Sequence, residues 1–203
     1  MKKTFIAIEG PIGVGKSSLA HKLSQTLGYQ EEQEIVDDNP FLSDFYDDIS
    51  KWSFQTEMFF LCNRYKQFQD LAKSERSVVS DYHIHKNKIF AHNTLTATEF
   101  DKFSRIYDIL TEDLIMPDTV IFLDADLSVL KARIRHRNRS FEIQIEDDYL
   151  TQLKSDYRRF YTSLEQNGVN VIYIDTTHLD FVNSEEDYSH ILNLLEPMIG
   201  GTH

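Results

Sequence analysis

Short apolar runs rich in β-branched residues alternate along the chain with longer segments whose apolar positions recur every three or four residues. The apolar runs lie at 5–8, 77–80, 119–123 and 169–174, with a weaker run at 34–36. The helical patterns cover 16–27, 52–74, 96–115, 127–137, 147–166 and 184–198. Strands that are apolar on both faces and separated by helices predict a parallel sheet covered on both sides, which is a three-layer α/β fold.

The composition predicts one folded domain spanning residues 1–203, with 41% hydrophobic and 12% aromatic residues. No apolar run is long enough to span a membrane, and the first residues lack the pattern of a signal peptide, so we expect a cytoplasmic protein with no membrane partner. A formal net charge of −12 opposes binding to a phosphate backbone, so we expect no nucleic-acid partner. The single cysteine, Cys62, lies in an apolar run and is predicted to be buried.

Residues 10–17, GPIGVGKS, match the phosphate-binding loop G-x-x-x-x-G-K-[ST] and lie between a predicted strand and a predicted helix. Glycines in this loop let backbone N–H groups surround phosphate oxygens, Lys16 reaches the β- and γ-phosphates, and Ser17 supplies a ligand for Mg²⁺. The predicted nucleotide-binding residues are Gly10, Gly13, Val14, Gly15, Lys16, Ser17 and Ser18. The loop predicts binding of ATP or GTP, and the missing D-x-x-G and N-K-x-D patterns argue against a GTPase.

A basic cluster at 131–139 holds five of the 21 lysines and arginines. On a helix, Arg133 and Arg137 share a face, while Arg139 begins the irregular stretch that follows. This pattern predicts an Arg-rich lid at about 133–146 that closes over phosphates, as phosphoryl transfer requires. The catalytic candidates on the phosphate side are therefore Lys16, Arg133, Arg137 and Arg139.

The segment 31–48 holds eight acidic residues and no lysine or arginine. Such a segment does not hold a phosphate, so the predicted acceptor is an alcohol rather than a nucleotide monophosphate. Glu34, at the start of the predicted second strand, is placed to orient or deprotonate a hydroxyl. On the following helix, Glu57 and Arg64 lie on one face two turns apart, either to hold a planar polar ligand or to form a structural ion pair.

The segments 6–18, 38–42, 52–54, 59–66 and 133–139 together resemble the deoxyribonucleoside kinases. The similarity is greatest to the bacterial deoxyguanosine kinases of the deoxyguanosine/deoxyadenosine branch. It implies a P-loop kinase fold with a five-stranded parallel sheet in the thymidylate-kinase-like arrangement, and a homodimer. It also implies Mg²⁺-dependent transfer of the ATP γ-phosphate to the 5′-hydroxyl of a purine deoxynucleoside, a salvage reaction.

The same resemblance implies roles for individual residues. Glu34 is expected to act as the general base, and Arg133, Arg137 and Arg139 match the lid arginines. The remaining implied contacts are Tyr46 and Glu142 with the sugar 3′-hydroxyl, and Asp180 with Phe181 in the loop that packs against the ATP adenine.

One departure from the family pattern concerns the base. The family usually carries Gln where this sequence has Glu57. A carboxylate only accepts hydrogen bonds, so it matches the N1–H and N2–H₂ donors of guanine, whereas a carboxamide matches the N6/N7 edge of adenine. We therefore expect deoxyguanosine to be favoured over deoxyadenosine, with Arg64 beside the base. Gln55 is the alternative residue to face the base.

A second departure concerns the acid-Arg-Ser triplet that the family places after its third strand. The literal triplet at 75–77 precedes the apolar run, whereas Asp81 follows it, so Asp81 is the preferred acid for Mg²⁺ and substrate. Tyr82 then replaces the arginine, and the lid arginines or Lys86 are the candidates to supply its charge. In this register Asn87 falls near the base-contacting acid of the family.

Three other functions compete with a deoxyguanosine kinase. A deoxyadenosine or broad-specificity deoxynucleoside kinase would share the whole site. A thymidylate-kinase-like enzyme would need a basic acceptor-phosphate site, which the acidic 31–48 segment opposes. A non-catalytic nucleotide-binding regulator would keep the loop at 10–17 without needing the lid or Glu34.

Overall fold

The computed structural model describes residues 3–36, 38–139, 142, 145–166 and 168–199. Within the expected lid, positions 140, 141, 143 and 144 lie outside the described residues. Across the described ranges, no helix has both the length and the apolar character that a membrane crossing requires.

The described chain alternates between strands and helices and forms one parallel sheet. The strands are β1 (Phe5–Glu9), β2 (Gln30–Glu32), β3 (Val78–Ser80), β4 (Thr119–Asp124) and β5 (Val171–Asp175). The helices are α1 (Lys16–Leu27), α2 (Leu42–Asp47), α3 (Ile49–Lys73), α4 (Lys86–Thr94), α5 (Ala97–Thr111), α6 (Leu127–Arg137), α7 (Asp147–Gln166) and α8 (Glu185–Ile199). The five strands pair in the order β2-β3-β1-β4-β5, all parallel. The predicted α/β fold with a five-stranded parallel sheet is confirmed.

Helices cover the sheet on both faces because the central strands are apolar on both faces. In β1, Ile6 and Ile8 pack with apolar residues of α1, α6 and α8, whereas Phe5 and Ala7 pack with α3 and α5. The second face continues with α4 and α7, which pack on β4. This arrangement fixes the carboxyl ends of the strands along one edge, where ligands bind in open α/β sheets.

The second strand lies earlier than the sequence pattern predicted. β2 covers Gln30–Glu32 and hydrogen-bonds to β3, so Glu34 follows the strand rather than opening it. The prediction at 34–36 is wrong because β2 is an edge strand that forms by backbone pairing with β3, with its side chains only half-buried. Ile35, the apolar residue that suggested a strand, is 43% exposed.

Capping residues set the starts of two helices, of which periodicity missed that of α3 and gave that of α5 to within one residue. α3 begins at Ile49, three residues before the predicted start, because the Asp48 side chain accepts a hydrogen bond from Lys51 N at 3.2 Å. α5 begins after a capping box in which Thr96 and Glu99 exchange hydrogen bonds.

Two features of the helical layer differ from the sequence-based prediction. Helix α4 was not predicted, because its polar residues mask the apolar pattern although Asn87, Ile89 and Ala91 are buried. Cys62 is exposed on α3, so its predicted burial is wrong. The neighbouring Leu61 occupies the buried position on that turn of the helix instead.

Candidate active site

The loops after β1, β3 and β5 open into one cavity of about 950 Å³. That volume lies within the range of roughly 300–1,000 Å³ that is typical of small-molecule sites. The P-loop at 10–17 and the loop at 179–183 line its donor part. Residues of 34–46 and of α3 line its acceptor part, and α6 with Glu142 lies over it.

The P-loop has the backbone conformation that an anion cradle requires. Gly13 and Gly15 have positive φ values of 84° and 104°. A Cβ atom on Gly13 would lie 2.7 Å from Ile134 Cγ1, so neither the backbone angle nor the packing leaves room for a side chain. Gly15 precedes α1 without any side-chain cap, which leaves the first N–H groups of the helix open for phosphate oxygens.

Lys16 begins α1 and extends back along the P-loop. Its Nζ donates to the carbonyl oxygens of Gly10 at 2.9 Å and Pro11 at 3.1 Å. Burial, with the nearby charge of Lys86, lowers the pKa of Lys16 to about 8. Incoming phosphate oxygens would reverse this shift, because negative charge favours the protonated amine.

Ser17 and Asp81 meet at the junction of the P-loop and the end of β3. The Ser17 hydroxyl donates to Asp81 Oδ2, and Asp81 Oδ1 accepts from Glu34 N at 2.8 Å. A hydroxyl beside a carboxylate is the kind of oxygen donor set that Mg²⁺ takes, so these residues fit the ion. The alternative acid at 75–77 lies at the opposite end of β3, away from the P-loop.

Two cations hold the carboxylate of Glu34 in the acceptor part. Arg64 Nε donates to Oε1 at 3.0 Å and Arg64 Nη2 donates to the same oxygen, while Lys86 Nζ donates to Oε2 at 2.7 Å. Burial alone would raise the pKa of Glu34, but Lys86 and Arg64 outweigh burial and hold this pKa well below its usual range. Glu34 is therefore an ionised carboxylate held in one position at the cavity, and it is a weak base.

The buried face of α3 carries the second acidic group of the acceptor part. Glu57 is 2% exposed and Arg64 4% exposed, whereas Gln55 is exposed and faces away from the cavity. The ion pairs found across the described ranges join Arg64 to Glu34, not to Glu57. Of the two readings of this face, a structural Glu57–Arg64 ion pair is therefore wrong. Burial raises the pKa of Glu57 to about 8.

At the C-terminal end of α6, Arg137 and Arg139 converge on Glu142. Arg137 Nε lies 3.1 Å from Glu142 Oε2, and Arg139 Nη1 lies 3.7 Å from Oε1. Burial raises the pKa of Tyr46, and the neighbouring charge of Glu142 adds to this shift. Tyr46 and Glu142 thus lie close together in the acceptor part, as two contacts to one hydroxyl group would require.

Arg133 joins the P-loop to the loop after β5. Its guanidinium donates to Val14 O at 3.2 Å, to Thr176 Oγ1 at 2.9 Å, to Thr176 O at 3.0 Å and to Leu179 O at 3.1 Å. Four neutral acceptors at these distances occupy most of its donors. In this arrangement Arg133 fixes the donor part of the cavity.

The loop at 179–183 closes the donor part beside the P-loop. Phe181 is 2% exposed, and its ring edge lies 2.8 Å from where a Cβ on Gly15 would stand. Asp180 is exposed and accepts hydrogen bonds from Asn183. Lys22 Nζ also donates to Phe181 O at 3.1 Å, which fixes this loop against α1.

Comparison with known proteins gives the family. Residues 6–200 match the family model described as deoxynucleoside kinase. The chain belongs to the deoxynucleoside kinase family. It is 46% identical to the deoxyguanosine kinase of Bacillus subtilis over 96% of this chain and 97% of that protein, and 28% identical to the deoxyadenosine/deoxycytidine kinase of the same organism over 98% and 94%. The match confirms the predicted ATP-dependent deoxynucleoside kinase.

Solved structures of the family share the fold. A deoxyadenosine kinase from M. mycoides, solved with dCMP and a flexible dCDP bound, superimposes with a TM-score of 0.85 at 28% identity over 96% of this chain and 100% of that one. The same enzyme with bound dATP gives a TM-score of 0.83 at 27% identity over 95% and 99%.

In this deoxynucleoside kinase, the cavity gathers most of the residues that the sequence suggested. Those lining it are Gly13, Gly15, Lys16, Ser17, Ser18, Glu34, Tyr46, Glu57, Arg64, Asp81, Arg133, Arg137, Arg139, Glu142, Asp180 and Phe181. Gly10 and Val14 are buried in the P-loop itself. Asn87 does not line the cavity: it is fully buried, and neither amide atom has a hydrogen-bond partner in the described part of the chain.

The structure places three further residues around the ends of β1 and β3, of which Tyr82 and Lys86 were already considered from the sequence. Tyr82 is fully buried, with its ring centroid 5.5 Å from that of Phe68, so it supplies no charge to the cavity. Glu9, the last residue of β1, accepts from His83 N at 2.6 Å, and burial raises the pKa of Glu9 to about 7. Lys86 brings its charge to the cavity from the first residue of α4. The available signal was their position at a strand's carboxyl end, since Glu9 ends β1 and Tyr82 and Lys86 follow β3.

Proposed function

We propose that this kinase transfers the γ-phosphoryl group of ATP to the 5′-hydroxyl of deoxyguanosine, forming the monophosphate for purine deoxynucleotide salvage. The choice of base rests on the carboxyl group of Glu57, which is buried on the acceptor side of the cavity. Arg64 lies two turns further along the same face of α3. The 46% identity to a deoxyguanosine kinase supports the same choice.

Guanine fits Glu57 because of its donors. An ionised carboxylate accepts the N1–H and N2–H₂ groups together, and the 6-amino edge of adenine does not offer that pair. Leaving a buried polar group unpaired costs about 1 to 3 kcal/mol, which corresponds to about ten- to hundred-fold discrimination. Arg64, held by Glu34, supplies a positive charge beside the base and favours an ionised Glu57.

The acceptor hydroxyl is proposed to lie against Glu34. The two cations that hold Glu34 keep it ionised, so it orients the hydroxyl by accepting its hydrogen bond and takes the proton as the new bond forms. A loose phosphoryl-transfer transition state does not require a strong base. Tyr46 and Glu142 are proposed to hold the sugar 3′-hydroxyl, which would bring the lid down on the bound substrate.

On the donor side, the P-loop residues Gly10, Gly13, Val14, Gly15, Lys16, Ser17 and Ser18 are proposed to hold the phosphates of ATP. Ser17 and Asp81 would hold Mg²⁺, which neutralises phosphate charge when bound. The backbone around Asp180 and Phe181 is proposed to pack against adenine, since this loop borders the cavity beside Gly15.

Residues 1–203 are proposed to form one kinase domain, and its lid at about 133–146 is proposed to close over the bound substrates. Arg137 and Arg139, engaged with Glu142 here, would turn to the phosphates on closure, while Arg133 keeps the donor loops together.

We also propose a homodimer formed through the helical layer, where the large apolar side chain of Ile109 on α5 is 73% exposed. A cytoplasmic location is part of the same proposal, since an ATP-dependent salvage enzyme needs access to cellular ATP.

Deoxyadenosine is the second candidate acceptor. Because burial raises the pKa of Glu57 to about 8, the protonated acid is the favoured form of the ligand-free site at neutral pH. That form offers one donor and one acceptor, as a glutamine does, and so matches adenine.

The test is a Mg·ATP phosphorylation assay with the four deoxynucleosides, dTMP and dGMP side by side. The proposal predicts the highest kcat/KM on deoxyguanosine and no turnover of either monophosphate. Turnover of the monophosphates alone would assign a nucleotide kinase instead, and ATP binding without turnover of any acceptor would assign a regulator.

A further inference from the structure

The positive charge around the Glu34 carboxylate exceeds the single negative charge of that carboxylate. Glu34 has one negative charge, whereas Arg64 and Lys86, which both donate to it, have two positive charges between them. The exposed fractions of the three side chains are only 11%, 5% and 7% respectively, so water neutralises little of the surplus. A buried unbalanced charge is costly unless an anion compensates it. The cluster is therefore built to receive an anionic group.

Neighbouring acids do not remove the surplus. Burial raises the pKa of Glu9 to about 7 and that of Glu57 to about 8, so neither carries a full negative charge at neutral pH. Asp81 adds a negative charge, but Lys16, on which that charge acts, adds a positive one, so the pair leaves the surplus unchanged.

Of the two cations, both of which line the cavity, Lys86 is the one whose charge acts on residues around the P-loop. Arg64 projects from α3 beside Glu57, whereas Lys86 starts α4 just after β3, and its charge acts on Lys16 and Glu9 around the P-loop. The Lys86 ammonium has three N–H donors, and across the described ranges Glu34 Oε2 is the acceptor found for them. Two of its donors therefore have no acceptor among the described residues, and the side chain lines the cavity.

The arginines of α6 do not fill that place in this structure. Arg133 donates to Thr176, Leu179 and Val14, and Arg137 donates to Glu142. Tyr82, directly after Asp81, is buried in an apolar cluster. Lys86 lies four residues beyond Tyr82, after a turn in which Lys86 N donates to His83 O at 3.1 Å, and its side chain lines the cavity.

We propose that Lys86 is a catalytic residue that stabilises the phosphoryl group during its transfer while holding Glu34 in place. This inference rests on the proposed phosphorylation of a deoxynucleoside. In the step, the 5′-oxygen bonds to the γ-phosphorus as the bond from that phosphorus to the β,γ-bridging oxygen breaks. The bonding electron pair leaves with ADP, and the hydroxyl proton passes to Glu34. Lys86 stays protonated, with one N–H on Glu34 and another on a phosphoryl oxygen.

The first experiment removes the charge of Lys86 and keeps a side chain of similar length. Lys86→Met should lower kcat by about 10²- to 10³-fold, while the KM values for ATP and deoxynucleoside change by less than about threefold. Lys86→Gln, which can still donate to Glu34, should be nearly as slow, and Lys86→Arg should recover at least about tenfold of the loss. Lys88→Met, on the exposed face of the same helix, is the matched control and should keep wild-type kcat.

The second experiment separates a direct role from one exerted through Glu34. In the Glu34→Gln background, Lys86→Met should cause a further loss of kcat, and it should weaken binding of ADP, aluminium fluoride and deoxyguanosine together more than binding of ADP alone. Wild-type kcat in folded Lys86→Met or Lys86→Gln would overturn the inference, as would a loss that vanishes entirely in the Glu34→Gln background. Failure of the wild-type enzyme to phosphorylate any deoxynucleoside would instead overturn the proposed function.

Discussion

Arg64 on α3 donates through Nε and Nη2 to a single carboxylate oxygen of Glu34, a residue 30 positions earlier in the chain. The contact joins the loop after β2 to the helix that carries Glu57. It therefore couples the place where the acceptor hydroxyl is proposed to react with the place where the base is proposed to bind. Removing Glu34 would leave two buried cations, Arg64 and Lys86, without their shared carboxylate.

Glu34→Gln is expected to lower kcat by about 10²- to 10⁴-fold, because it removes the charged acceptor for the hydroxyl proton. Binding of ATP is expected to persist, since the P-loop is unchanged. The variant should also lower the melting temperature, because the buried charges of Arg64 and Lys86 lose their partner. Steady-state kinetics, ATP binding and thermal unfolding measure the three effects. Glu31→Gln, on the partly exposed edge strand β2, is the control, and wild-type turnover in Glu34→Gln would contradict the assigned role.

Gly13→Ala is expected to abolish ATP binding, whereas Gly28→Ala is expected to spare it. Both glycines have positive φ values, of 84° and 67°, so both substitutions should lower stability by about 1 to 2 kcal/mol. A Cβ on Gly13 would also lie 2.8 Å from Leu130 O, whereas nothing lies within 4 Å of one on Gly28. Denaturant unfolding measures the loss of stability that both variants share, and nucleotide titration measures the loss of ATP binding expected for Gly13→Ala alone. Equal ATP affinity in the two variants would refute the cradle.

Ser17→Ala is expected to raise the Mg²⁺ concentration needed for half-maximal activity by about tenfold, because a hydroxyl ligand is lost. Asp81→Asn should have a larger effect, since it removes a negative charge from the proposed Mg²⁺ site. It also weakens the hydrogen bond that Asp81 accepts from Glu34 N. A Mg²⁺ titration at fixed ATP measures both. Asp108→Asn, at an exposed ion pair with Lys88, is the control. Unchanged Mg²⁺ dependence in Ser17→Ala and Asp81→Asn would assign the ion elsewhere.

Much of the fold could be predicted because the central strands are apolar on both faces. The limits of α1 and α6 and the parallel sheet follow from periodicity alone. β2 could not be placed, because an edge strand needs only a partner backbone, and Ile35 pointed to the wrong position. The exposure of Cys62 depends on the direction of α3 against the sheet, which its local sequence does not specify.

The P-loop residues could be predicted because their spacing is local. The pairing of Arg64 with Glu34 could not, because it joins residues far apart in the chain and competes with the nearer Glu57. Position at the carboxyl end of a strand was an incomplete guide: Asp81 lines the cavity, whereas Glu9 accepts from His83 N and Asp124 is held by Lys154 and Arg158. Only tertiary packing decides which of these acids remains open to a ligand.

Binding of deoxyguanosine near pH 7 is expected to release a proton. Burial raises the pKa of Glu57 to about 8, so the acid is mostly protonated below that pH and must ionise to accept the guanine donors. Affinity should therefore rise as pH increases toward 8 and level off above it. Calorimetry in two buffers of different ionisation enthalpy measures the proton release, and Glu57→Gln should show none from this site. Proton uptake by the wild-type enzyme would contradict this assignment.

Because Glu57 is proposed to select the base, the most direct measurement compares kcat/KM for deoxyguanosine and deoxyadenosine in the wild-type enzyme and in Glu57→Gln. Gln55→Glu, on the exposed side of α3, is the control for a change of charge. The wild-type enzyme should prefer deoxyguanosine, and Glu57→Gln should shift the ratio toward deoxyadenosine by about ten- to hundred-fold. An unchanged ratio, or a shift further toward deoxyguanosine, would contradict the reading of guanine by Glu57.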